Sequence, residues 1–480
     1  LDKNFHSLKI LLITPQGKKE EDSHHRPLFS MGIGTLLTIT PHHHHIELAD
    51  EIWGDIINYD GDYDLVGITV RTLNANRAYD IADEFLLQGK TVILGGAHPS
   101  LNYEEAIQHS SSVVCGEAEN LWITVLNDLE LGTLQKRYNA NDFSPVTNPP
   151  GLDYKRIFAA SMRERVNVQK PIPVFLSRGC PYECTFCCTP DLTGKLYRIQ
   201  SPEAIKQQIE EARHVWFKKT WHGKLPWFQF CDENIAVNKE KTWEILEAII
   251  PCKILFSTYC SLNLLEDPKT VRLLVQAGCI MVLVGFESLS ESAQKYYSKD
   301  DVNQIGLFKK TIGQCQKHGL CVQANFIANP AIDTYEDIDK VLQFVRDTAV
   351  VMPTYSLITP FPGTRLYRKY EAENRISDKD WDKYTCQNLV VKSDKYPSNE
   401  YHMVYMQCFA AMYAWPTIIK RVLRNSWKVL TFYTSLRFRQ WCKDYLKNLR
   451  EGKWEQELPA NVLRNMPKKS RDRMPHTNNN

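Results

Sequence analysis

Short apolar runs alternate with amphipathic stretches through the first third of the chain. Residues 9–14 (KILLIT), 46–50 (IELAD), 65–70 (LVGITV), 91–96 (TVILGG) and 112–116 (SVVCG) have the length and content of buried strands. Between them lie helical patterns. In residues 76–87, Ala78, Ile81, Ala82, Phe85 and Leu86 fall on one face. Such alternation predicts a doubly wound, Rossmann-like parallel sheet, in which ligands sit outside the carboxyl ends of the strands. Those ends carry Thr69-Val70-Arg71-Thr72, Gly95-Gly96-Ala97-His98 and Gly116-Glu117-Ala118-Glu119.

Residues 144–151 (SPVTNPPG) place three prolines and a glycine in eight positions, which stops regular structure. A second series of strand and helix patterns follows, with strands expected at 174–176, 227–231, 253–258, 281–286, 322–327 and 354–359. Six units in roughly 190 residues fall short of the ~250 of a closed eight-unit barrel, so the pattern predicts a partial (β/α)6 barrel, again with its chemistry at the strand C-terminal ends. From about residue 373 the sequence turns helical, aromatic and basic. The expected division is a sheet domain (1–143), a linker (144–165), the partial barrel (166–372), a helical region (373–465) and a disordered tail (466–480).

Composition narrows the class. Over 480 residues, 43% apolar and 24% charged content is that of a folded chain, and a formal charge of +2 does not single out nucleic acid as a partner. There is no run of 18 uncharged apolar residues and no secretory pattern at the start. Fourteen cysteines in a chain with this much core point to a reducing cytoplasm and a few metal-binding thiolates rather than a disulfide scaffold. The run His42–His45 reads as solvated turn histidines, with metal binding as the alternative.

The cysteines that matter follow the first barrel strand, in Ser177-Arg-Gly-Cys-Pro-Tyr-Glu-Cys-Thr-Phe-Cys-Cys188. Cys180, Cys184 and Cys187 are spaced C-x3-C-x2-C, close enough for three thiolates to converge on one soft centre. A [4Fe–4S] cube held by three cysteines keeps one iron open; zinc, the competitor, usually takes two C-x2-C-type hooks, and no second hook follows. Cys188 reads as a packing neighbour.

This motif, with Phe186 before its last cysteine, resembles the signature of the radical S-adenosylmethionine (SAM) superfamily. The preceding sheet domain resembles the cobalamin-binding domain of that superfamily's cobalamin-dependent branch. Phe228-Gln-Phe-Cys-Asp-Glu-Asn234, Gly285-Phe-Glu-Ser288, Thr359-Pro-Phe-Pro-Gly-Thr364, Gly95-Gly96-Ala97-His98-Pro99 and Gly116-Glu117-Ala118-Glu119 resemble further motifs of the branch.

The resemblance implies that Cys180, Cys184 and Cys187 hold a [4Fe–4S] cluster whose open iron chelates SAM, and that SAM is cleaved reductively to a 5′-deoxyadenosyl radical. It implies SAM contacts from Phe186, Asp232, Glu233, Gly285 and Glu287, with a carboxylate taking the ammonium. It implies cobalamin contacts from Thr69, Arg71, Gly95, Gly96, His98 and Glu117. The D-x-H-x-x-G motif that supplies a histidine to cobalt is missing; Pro15-Gln-Gly-Lys18 stands there. The expected reaction is methylation of an unactivated carbon of a small-molecule or lipid substrate, with flavodoxin or ferredoxin as reductant. Asn325, Asn329 and Tyr355 are expected near that substrate.

Alternatives stay open at this point. One is oxidative cyclisation or rearrangement by the same cofactors. Another is a non-catalytic corrinoid or iron–sulfur sensor. Between Lys420 and Arg450, nine Lys/Arg face one acid, Asp444, with Trp427, Phe432, Tyr433, Phe438, Trp441 and Tyr445 interleaved. This segment reads as a helical cap on the barrel. Peripheral contact with an anionic membrane is the alternative, and it resembles the hopanoid-methylating subgroup in this.

Overall fold

A computed structural model of the chain describes residues 7–18, 29–140, 150–161, 171–220 and 227–450. They fall into two compact units, one N-terminal and one comprising the rest of the described chain from residue 150. The expected tail lies outside the described residues, as do 144–149 and 162–165 of the expected linker; within that linker the helix Tyr154–Ser161 forms.

The first unit is built on six parallel strands: β1 (Lys9–Thr14), β2 (His45–Asp50), β3 (Leu65–Thr69), β4 (Thr91–Gly95), β5 (Ser112–Cys115) and β6 (Arg137–Asn139), in the order β2-β1-β3-β4-β5-β6. The central strands are buried on both faces, as their continuous apolar runs require. The predicted helix forms over Ala75–Leu87 and buries Ala78, Ile81, Ala82 and Phe85. The order reverses between β1 and β3, which makes the C-terminal ends of these two strands the switch point of the sheet. A buried ion pair stiffens that end: Arg77 meets Glu51 at 2.6 Å, Glu51 also accepts the Gln16 N–H at 3.1 Å, and Asn74 donates to the Pro15 carbonyl at 2.9 Å.

In the second unit the strands are β7 (Ile172–Val174), β8 (Ser177–Arg178), β9 (Arg198–Ile199), β10 (Trp227–Phe230), β11 (Leu255–Tyr259), β12 (Cys279–Glu287), β13 (Cys321–Ala328) and β14 (Met352–Leu357). Six of them form a parallel sheet in the order β14-β13-β12-β11-β10-β7, and β8 and β9 pair antiparallel beside it. This is the six-stranded partial barrel that the sequence predicts. β10 shows how its two faces differ: Phe228 and Phe230 are fully buried and stack into the core, while Gln229 points the other way and accepts a hydrogen bond from Ser257 at 2.6 Å.

Helices Ser398–Met412, Trp415–Arg424 and Lys428–Arg450 belong to the same unit. Tyr405 and Tyr413 donate to the Tyr355 and Pro353 carbonyls of β14. Leu430 and Phe438 pack on a buried cluster that includes Met281, Cys321 and Met352, in the first residues of β12, β13 and β14. The last helix therefore closes the N-terminal end of the barrel, opposite the end that carries the cysteines.

Candidate functional site

The cysteine loop is closed at its neck by the β8–β9 pair, with Ser177 opposite Ile199 and Arg178 opposite Arg198. Gly179 enters the loop at φ +82°, and a Cβ there would lie 2.3 Å from the Leu196 carbonyl oxygen, so glycine is required. The Cys180 N–H donates to Gly194, and the Cys187 N–H to the Cys184 carbonyl at 3.1 Å. Thr185 fixes the loop tip from two directions: its N–H donates to the Tyr297 carbonyl after β12, and its carbonyl accepts the Leu366 N–H after β14. Phe186 packs edge-on against the Tyr297 ring, 5.4 Å between centroids.

All fourteen cysteines are free thiols. Cys184 is buried, and Cys180, Cys187 and Cys188 are half-buried. Burial pushes the Cys184 thiol up to about 11 and Cys188 up to about 12. Among the described residues the one set of three ligand atoms lying within 4.8 Å of one another is His43, His44 and Glu130. The three loop thiols do not all come within that distance of one another. Three soft thiolates on one loop are a donor set that suits an iron–sulfur cluster.

The predicted acids divide. Glu287 ends β12 at φ +60°, just past a break in register with β13. It forms an ion pair with Lys299 at 3.2 Å, both side chains mostly buried. Burial pulls the Lys299 ammonium down, but Glu287 and the neighbouring Cys184 outweigh it and hold it above its ordinary value. Gln294 and Asn303, both buried, clamp this turn by donating to the Phe286, Ser288 and Gly285 carbonyls. A Cβ on Gly285 would meet the Glu287 carboxylate at 2.2 Å. Glu233 is half-buried; one of its oxygens accepts from Thr193 at 3.2 Å, and the other is buried with no hydrogen-bond partner among the described residues. An unsatisfied carboxylate oxygen beside the thiols is a fit for a ligand ammonium. Cys180 feels the charges of Glu233 and Lys299, and Cys184 those of Lys299 and Glu287. Thus the structure brings the three cysteines, Phe186, Glu233, Gly285 and Glu287 to one end of the barrel.

Asp232 lies deeper than Glu233, and only one of its oxygens is taken up by the protein; the other is buried with no hydrogen-bond partner among the described residues. It is 2% exposed, and one oxygen accepts from the Leu176 N–H at 3.0 Å, the Ser177 hydroxyl at 2.7 Å and the Ser177 N–H. Burial pushes its carboxyl up to about 7 against those Ser177 bonds, with Glu233 adding to the rise. It anchors the strand that leads into the cysteine loop. Two of the expected substrate neighbours are similarly committed. Asn329 is fully buried and bonds Tyr297 and Tyr370, and Tyr355 packs against Tyr405. Asn325 alone is half-exposed, held by Gln323 at 2.9 Å and by Thr354.

In the first unit, Thr69 and Gly95 are register partners at the ends of β3 and β4. With Gly96 and Glu117 they are partly accessible, and Arg71 is exposed. His98 is the exception. The helix Ala97–Leu101 turns it inward, where it is fully buried 3.2 Å from the Thr72 hydroxyl, and burial holds its imidazole down at about 4. So placed, the ring packs within the unit, deeper than the other residues expected on the cofactor.

Lys299, Gln294, Asn303 and Thr185 were not expected from the sequence. Thr185 acts through partners more than a hundred residues away, and Lys299, Gln294 and Asn303 through the turn that ends β12, six to eighteen residues back.

Comparison with known proteins fits this geometry. The Radical SAM superfamily profile matches residues 174–345. Bacteriochlorophyllide d C-8(2)-methyltransferase of Chlorobaculum tepidum is 47% identical over 428 residues, covering 89% of this chain and 95% of that protein. Bacteriochlorophyllide d C-12(1)-methyltransferase of the same organism is 29% identical, covering 80% and 82%. The solved structure of the cobalamin-dependent S-adenosylmethionine radical enzyme OxsB matches with a TM-score of 0.65 at 15% identity, covering 93% of this chain and 71% of that one. That likeness shows a shared fold, including the sheet unit before the barrel. With the thiol loop and the acids beside it at the barrel's C-terminal end, the chain belongs to the radical SAM superfamily of [4Fe–4S]- and SAM-dependent enzymes, within the methyltransferase family that the 47% identical relative represents.

Proposed function

We propose that this enzyme methylates an unactivated side-chain carbon of a bacteriochlorophyllide, with cobalamin as a further cofactor. The observation that carries the substrate is the 47% identity running over 95% of a relative named for that reaction. Hopanoid C-2 methylase of Rhodopseudomonas palustris is 22% identical over 51% of the chain, so a tetrapyrrole replaces the lipid as the favoured substrate.

When bound, the cluster and SAM supply reductive radical cleavage and the corrinoid supplies a transferable methyl group. The chain's own residues do the rest. Cys180, Cys184 and Cys187 ligate the cluster. Glu233, oriented by Thr193, takes the SAM ammonium through its open oxygen. Lys299 fixes the Glu287 carboxylate for a second SAM contact, and Phe186, steadied by Tyr297, borders the adenine. Gly285 keeps the backbone low beside Glu287. In the sheet unit Thr69, Arg71, Gly95, Gly96 and Glu117 contact the corrinoid at the strand ends. Pro15-Gln-Gly-Lys18, standing in place of a D-x-H-x-x-G motif, would offer a bound corrinoid no histidine. The half-exposed Asn325 faces substrate.

The test is anaerobic incubation of the reconstituted enzyme with reductant, hydroxocobalamin, bacteriochlorophyllide d and methyl-deuterated SAM. The expected product gains one deuterated methyl group, and Cys184→Ala yields none. Formation of 5′-deoxyadenosine with a product that only loses hydrogens would replace methylation by oxidative closure.

A further inference from the structure

The C-terminal helices split their aromatic residues in two. Phe438 and Trp441 pack inward with Phe409 and Tyr413, and Tyr445 donates to the Gln387 carbonyl. The segment before them does the opposite. Half of the exposed large apolar side chains among the described residues, seven of fourteen, lie between residues 415 and 433. Trp415, Ile419 and Leu423 follow one another at i, i+4 and i+8, a single stripe along the helix Trp415–Arg424. Trp427 occupies the turn, and Val429, Phe432 and Tyr433 continue the surface on the next helix. Val429 is 84% exposed and Leu423 72%. The inward face of the same helix is fully used: Ile418 and Arg421 are buried, and Arg421 bonds the Met412 carbonyl and Ser435. The outward apolar stripe is therefore not a misplaced core.

Charge selects the occupant. Residues 415–433 carry Lys420, Arg424 and Lys428 besides the buried Arg421, and no acid; Lys420 and Arg424 also donate to the Arg346 and Asp347 carbonyls. Lys428 and Lys443 are exposed, Arg437 lies over the Tyr433 ring, and Arg439 lies over Trp415. Asp347, the acid met by this segment at the end of a neighbouring helix, is already matched by Lys309 at 2.9 Å. Exposed tryptophan, tyrosine and leucine on a stretch of chain whose charges are all basic is the composition of a surface that lies in an anionic lipid interface. We infer that residues 415–433 dock this enzyme peripherally on an anionic membrane, with Trp415, Ile419, Leu423, Trp427, Val429 and Phe432 entering the headgroup layer. These helices close the N-terminal end of the barrel, so docking leaves the cluster end turned away from the lipid. The inference is independent of the proposed substrate.

The experiment is vesicle co-sedimentation of the full chain, purified anaerobically, with phosphatidylcholine alone and with phosphatidylcholine containing a third phosphatidylglycerol. Wild type is expected to pellet with the anionic vesicles, at least tenfold less with the neutral ones, and to be released by high salt. Ile419→Glu/Leu423→Glu is expected to bind at least tenfold more weakly while its reductive cleavage of SAM is unchanged, which also shows that it folds. Three results would overturn the inference. Wild type and the double variant pelleting equally would remove the stripe from the contact. A dimer that the double variant splits, with no vesicle binding, would make the stripe an interface between copies. Vesicle binding only after truncation at residue 450 would mean that the chain's own C-terminal segment covers the stripe.

Discussion

The Glu287–Lys299 pair is a measurable strut of the SAM site. At 3.2 Å and an effective dielectric of about 20, two unit charges attract by about 5 kcal/mol. Desolvating two mostly buried groups offsets part of that, leaving a coupling of about 2–3 kcal/mol. Glu287→Gln removes one charge and strands the other, so it is expected to cost about 3 kcal/mol, and Lys299→Met the same. Because the double variant strands no charge, it is expected to cost about 3 rather than about 6 kcal/mol. The assay is urea unfolding of the cluster-free chain under reducing conditions, with free energies taken from the midpoint and slope of the second unit's transition. Single-variant losses that add within about 0.5 kcal/mol would show that the charges do not interact. An unchanged midpoint for Glu287→Gln would show that the pair contributes nothing.

Other expectations follow from the same site and its supports. Gly179→Ala drives a Cβ into the Leu196 carbonyl and is expected to abolish iron retention on reconstitution while the far-ultraviolet dichroism stays intact. Gly285→Ala displaces the Glu287 carboxylate, so SAM affinity, read by equilibrium dialysis, is expected to fall about tenfold with iron content unchanged. Asp232→Asn keeps the acceptor for Ser177 and Leu176 and is expected to cost under about 1 kcal/mol, whereas Asp232→Ala orphans those donors at about 3 kcal/mol, read by unfolding midpoint. Burial pushes the Asp333 carboxyl up to about 7, so the folded state holds its proton more tightly than the unfolded chain. Its stabilising contribution is full below about pH 4 and is lost as pH rises through about 7. Asp333→Asn is expected to flatten that fall in a wild-type-minus-variant curve, and identical curves would refute it.

The central strands of the first sheet were legible because they are continuous apolar runs buried on both faces, and β10 because its apolar and polar positions alternate over Phe228, Gln229 and Phe230. β6 (Arg137–Asn139) was not, since its three residues carry no apolar run; it is held by pairing to β5 and by Tyr138 bonding Asp128 at 2.7 Å. The thiols were legible because their spacing is local. Lys299 was not, because its meaning lies in a carboxylate twelve residues back that a bulge turns toward it. His98 and Asp232 look like ligands in sequence, since both stand at strand ends where ligands bind. A one-turn helix buries the first, and a neighbouring strand takes up one oxygen of the second. The C-terminal aromatics read as one group in composition, yet the fold sends Phe438 and Trp441 inward and Trp427 and Phe432 outward.

The two hydrogen bonds that hold Thr185 have a consequence for how the enzyme matures. Their partners, Tyr297 and Leu366, lie more than a hundred residues further along the chain. On the ribosome the cysteines emerge early, but the clasp on their loop is made only after the last barrel strand has been synthesised and docked. Iron insertion is thereby placed late in biogenesis. A nascent or truncated chain ending before residue 366 presents its thiols without the frame that spaces them.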